Sequence, residues 1–78
     1  MKGMNMRYTV ILERDESGMI IAHVPALRGC VSQGRNKREA MRNIKEAIAL
    51  YVETLIEHQQ PVPTEAGREV VEMIVAAR

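Results

Sequence analysis

Apolar residues gather in short runs in the first third of the chain and then recur at steps of three and four. Residues 8–14 (YTVILER) and 19–24 (MIIAHV) are rich in β-branched side chains and predict two strands. Asp15-Glu16-Ser17-Gly18 lies between them. An acidic, polar stretch ending in glycine predicts a four-residue hairpin loop, with Gly18 free to take a positive φ. Pro25 ends the second strand because it lacks a ladder N–H. Residues 26–29 turn the chain, and residues 30–33 form a short third strand stopped by Gly34.

The period then changes. Ala40, Ile44, Ala47, Ile48, Tyr51, Val52, Leu55 and Ile56 make one apolar stripe, so residues 37–58 predict an amphipathic helix. Asn36 is its expected N-cap, and Glu39 three residues on completes a capping-box pattern. Pro61 and Pro63 impose an extended linker. In residues 69–75 (EVVEMIV) the β-branched side chains favour a fourth strand, although Thr64 and Glu65 could instead cap a second helix. The reading is a single α+β domain over residues 1–78, with its core between about 7 and 75. Its order is β-β-β-α-β, one small sheet packed on one long helix.

The hairpin carries a register hypothesis. If Arg14 faces Met19, then Leu12 faces Ile21, and alternation separates two faces. Thr9, Ile11, Ile20, Ala22 and Val24 would meet the helix. Tyr8, Val10, Leu12, Met19, Ile21 and His23 would form the opposite face, which one helix cannot also cover. Val10, Leu12, Met19 and Ile21 are therefore the candidate contacts for a partner or a second copy. A shift of one residue would pass that role to Ile11, Ile20 and Ala22. The chain's 78 residues support only a small core, which independently favours self-association as a dimer or tetramer.

Composition narrows the function classes. The chain has 11 basic and 10 acidic side chains, a net charge of +1, and so lacks the bulk charge of a polybasic nucleic-acid binder. No apolar run reaches the roughly 18 residues of a membrane span. The first residues, MKGMNM, have no apolar signal-peptide core, and the single cysteine suits a reducing cytoplasm.

Candidate chemistry is sparse. Cys30, His23 and His58 lack ligand-like spacing, so neither a metal nor another cofactor is expected. Cys30 with His23 across the turn could form a nucleophile and base, but a small packed thiol is the favoured reading. Glu13, Asp15 and Glu16 could hold Mg²⁺ only with a further carboxylate from the helix, leaving a vestigial nuclease as a minor alternative. Arg35, Lys37, Arg38 and Arg42 oppose the macrodipole at the helix N-terminus, which gives them no helix-stabilising role. They are candidate anion or nucleic-acid contacts, weighed against a solvated basic turn. Catalytic residues are not expected.

The ordered set Asp15-Glu16-Ser17-Gly18, Val24-Pro25, Leu27-Arg28-Gly29-Cys30, Gly34, Glu39-Ala40 and Pro61-Val62-Pro63 resembles the HicB-like antitoxin family of toxin–antitoxin systems. The likeness covers residues 8–63. It implies a fold like a truncated ribonuclease-H sheet with one helix across it. It also implies a non-catalytic protein that binds and inhibits a small HicA-type RNA-cleaving toxin. Longer relatives carry a C-terminal DNA-binding domain, for which this chain has no room, so direct DNA binding is not expected. The alternatives are a small nucleic-acid-binding protein using the basic helix start, and an orphan domain of the same family without a toxin.

Overall fold

A computed structural model describes residues 6–77. Three strands, β1 (Ile11–Arg14), β2 (Ile20–His23) and β3 (Val31–Gly34), form an antiparallel sheet in the order β1-β2-β3. A single long helix, α1 (Lys37–Glu57), follows. The fold is a small α+β unit of β-β-β-α topology. The expected fourth strand does not form: residues 69–77 have no regular secondary structure, and neither does the alternative second helix appear. A strand needs an edge to pair with, and in this chain residues 69–75 lie on none.

Both helix ends are built from local signals. Asn36 is extended, and its Oδ1 accepts from the Glu39 amide at 2.8 Å, while the Glu39 carboxylate accepts from the Arg35 amide at 2.7 Å. The capping box therefore reaches one residue further back than Asn36 itself. At the other end, the Gln60 amide donates to Leu55 and the Gln59 amide to Ile56, with Gln59 at φ 57°. These are the two bonds of a Schellman motif, closed by glutamine where glycine is usual.

The hairpin corrects the expected register. Arg14 pairs with Ile20, Glu13 with Ile21, Leu12 with Ala22 and Ile11 with His23. Asp15 does not belong to the loop, because its amide donates to the Met19 carbonyl at 2.9 Å. Its carboxylate accepts from the Ser17 and Met19 amides, both at 2.9 Å, and Gly18 takes φ 94°. The loop is thus the three residues Glu16, Ser17 and Gly18, a length that calls for a left-handed last residue. One residue of slip turns every side chain of β1 to the other face.

The core follows from that register. Ile20, Ala22, Val24, Leu27, Cys30, Ala40 and Ile44 are buried, with Tyr8, Val10 and Leu12 packed against them. The helix lies over β2 and β3 rather than β1. It reaches β3 closely because Gly34 carries no side chain beneath Ala40.

Candidate protein-binding surface

The two cross-strand rows that face away from α1 are Ile11–His23–Val31 and Glu13–Ile21–Gln33. Ile11 is 40% exposed and Val31 56%, and Ile21 in the adjoining row is half-buried. Three aliphatic side chains thus share an open face with one imidazole, one carboxylate and one amide. Such a surface can bury apolar area against a partner while its polar rim fixes orientation.

This placement revises the candidate contacts. Val10 and Leu12 pack on the helix side; Ile21 points to the open face, and Met19, whose carbonyl accepts from the Asp15 amide just before β2, shares that side by alternation. Of the fallback set, Ile20 and Ala22 are buried in the core and only Ile11 is open. Ile11 and Val31 belong to the face that alternation alone assigned to the helix or left out. The signal that could have found them is Asp15 followed by Ser17 and Gly18, which marks an Asx-bonded three-residue loop.

The basic cluster is partly neutralised. Arg35 bonds Glu39 at 3.0 Å, and Arg42 approaches the same carboxylate at 3.9 Å. The bonds from Arg35, side chain first and then amide, hold the Glu39 carboxyl down at about 2. Glu39 thereby supplies the helix start with the negative charge that its flanking arginines lack. Lys37 and Arg38 have no ion-pair partner among the described residues.

The catalytic alternatives separate in space. Cys30 is buried on the helix side, next to Leu27 and Ala40, whereas His23 lies on the open face. Burial pushes the Cys30 thiol up, the opposite of an activated nucleophile. The Asp15 carboxylate is engaged by Ser17 and by backbone amides, which lower its pKa. Among the described residues no group of three His, Cys, Asp or Glu side chains could hold a metal ion. Among the described residues no helix is long and apolar enough to cross a membrane.

After the helix, the chain returns to the sheet. The Tyr8 hydroxyl donates to the Pro63 carbonyl at 2.5 Å. The Thr9 amide and hydroxyl donate to the two Glu65 oxygens at 2.6 and 2.7 Å. These bonds lower the Glu65 pKa. Residues 63–65 are therefore tied beside the segment leading into β1.

A three-stranded sheet backed by one helix, with an aliphatic face left open and a buried, unactivated thiol, defines a small α+β module. Residues 8–77 match the family described as HicB-like antitoxin of bacterial toxin–antitoxin systems, and the chain belongs to that family. It is similar to UPF0150 protein Ta0767 of Thermoplasma acidophilum, with 48% identity over 83% of this chain and 94% of the relative. It is also similar to UPF0150 protein ssr1765 of Synechocystis, with 53% identity over 74% of this chain and 73% of the relative. A UPF0150 protein of Helicobacter pylori is 55% identical over 60% of this chain and 64% of its own length. Family membership supports an antitoxin role.

Proposed function

We propose that this protein binds a small HicA-type RNA-cleaving toxin and neutralises it by occlusion, without chemistry of its own. The observation that carries this reading is the open aliphatic face of Ile11, Ile21 and Val31 in a chain of the HicB-like antitoxin family. Binding through a preformed sheet costs little ordering entropy, so burying those side chains contributes directly to affinity. Glu13 and Gln33 at the rim, with His23 between the aliphatics, supply polar groups that set orientation.

The test uses the reading frame next to this gene. Its product should be a short basic protein that arrests growth when expressed alone and cleaves RNA when purified. Adding this protein at one equivalent should stop the cleavage, and Ile21→Asp should restore it while circular dichroism stays unchanged. A neighbouring product without toxicity, or cleavage undiminished at saturating antitoxin, overturns the proposal. Nucleic-acid affinity that falls steeply with salt and depends on Lys37 and Arg38 would instead favour the basic helix start as the working surface.

A further inference from the structure

Residues 69–75 are the most apolar stretch of the chain that buries nothing. Val70, Val71, Met73, Ile74 and Val75 are 67–100% exposed. A turn precedes them, in which the Arg68 amide donates to the Glu65 carbonyl at 2.9 Å and Gly67 takes φ 80°; Glu69 and Val70 still border Thr9 and Ile11, and the residues beyond line no groove with the sheet. The result is an arm. The Cα radius of gyration is 14.9 Å, against roughly 11–12 Å for a compact chain of this length. The longest extent is 51 Å, although the helix accounts for only about 31 Å.

The body has a matching vacancy. Because α1 lies over β2 and β3, the inner side of the segment leading into β1 is left beside an open groove of about 540 Å³. Tyr8 and Val10 line one wall, and Met41, Ile44 and Ile48 line the other, where Arg42 and Lys45 also border the groove. β1 is also an edge strand, with its outer backbone groups unpaired within the sheet.

Alternation along the arm fits that vacancy. Val71, Met73 and Val75 share one side, and Val70, Glu72 and Ile74 share the other. The all-apolar side suits the groove. The mixed side suits the open face, where Ile11 and Glu13 also mix apolar with acidic character. Each chain carries one arm and one acceptor, so a twofold axis satisfies both at once and closes the assembly.

We propose that two copies of this chain exchange residues 69–75, each arm adding a fourth strand to the other copy's β1 edge with Val71, Met73 and Val75 in its groove. The anchor that launches the arm is the Glu65–Thr9 pair, which fixes residues 63–65 beside their own sheet. This self-association uses the edge and groove of the sheet, leaving the open face of Ile21 for a partner, and it stands independently of the toxin reading.

The test is made on the full chain. Light scattering at micromolar concentration should give a two-chain mass. In a mixture of isotope-labelled and unlabelled protein, filtered NOEs should connect the Val71 and Met73 methyls of one chain to Val10 and Ile48 of the other. Combining Val71→Lys with Met73→Lys should weaken the dimer roughly 100-fold or more, because each ammonium would enter a groove whose only charged lining, Arg42 and Lys45, is itself positive. Helical circular dichroism should persist, and Val70→Lys should have a much smaller effect. A one-chain mass, NOEs confined within a chain, or a dimer indifferent to the double substitution overturns the exchange.

Discussion

Gly34 lies directly beneath Ala40: a methyl group on Gly34 would sit 2.4 Å from the Ala40 amide nitrogen and 2.8 Å from its Cα. The clash is with backbone, which cannot swing aside, so β3 and the first turn of α1 would have to separate. The requirement for glycine here is close approach rather than a positive φ. Gly34→Ala is expected to destabilise the fold by roughly 1–3 kcal/mol, as overpacking does elsewhere. Chemical denaturation measures this directly, and an unchanged midpoint would contradict the packing.

Cys30 fills the core as a small apolar group. Cys30→Ser is expected to cost on the order of 1–3 kcal/mol, because a hydroxyl would enter an environment without a free partner. Partner binding should survive, since the open face lies on the other side of the sheet. Alkylation of the native thiol should be slow until the protein unfolds.

The Glu39 carboxyl is held at about 2, below its ordinary 4.5. A group depressed in the folded state contributes stability that is fully present above its unfolded value and is lost as pH falls through the folded one. Melting temperature should therefore decline between about pH 5 and pH 2. Asp15 and Glu65, shifted the same way, add to the decline. In Glu39→Gln the amide oxygen can still accept from the Arg35 N–H, but the charge is gone, so the decline should be shallower than in the parent. Parallel pH–melting curves would show otherwise.

Gln59 closes the helix at φ 57°, a conformation that costs a side-chain-bearing residue roughly 1–2 kcal/mol and glycine almost nothing. Offset by glycine's greater unfolded-state entropy, Gln59→Gly should stabilise the protein by about 0.5–1 kcal/mol. Equilibrium unfolding is the measurement, and destabilisation would show that Gln59 is not held left-handed.

Glu65 ties the returning chain to Thr9 through two short hydrogen bonds. Glu65→Ala should release residues 61–68 while leaving α1 intact. Hydrogen exchange should accelerate at the Thr9 amide and remain slow at Ala40 and Ile44, which are buried in the core. Uniform acceleration across both would mean that the tie supports the whole fold.

Local chemistry made α1 legible in the sequence by itself. Asn36, Glu39 and the stripe from Ala40 to Ile56 are readable without neighbours, and the observed helix ends within one residue of expectation. The existence of three strands was equally legible, because β-branched runs bounded by Gly18, Pro25 and Gly34 specify extended backbone locally. The resemblance to HicB-like antitoxins rested on the same punctuation. Which face each strand turns to the helix was decided only in three dimensions. It depended on whether Asp15 belongs to the loop or to the ladder, and its carboxylate, bonded to the Ser17 and Met19 amides, chose the ladder. That choice moved Leu12 inward beside Ala22 and left Ile11, Ile21 and Val31 outside. Tertiary structure also decided the fate of residues 69–75. Their propensity is for strand, but a strand is a property of two paired backbones, and the turn at Gly67 carries these residues past the edge of their own sheet.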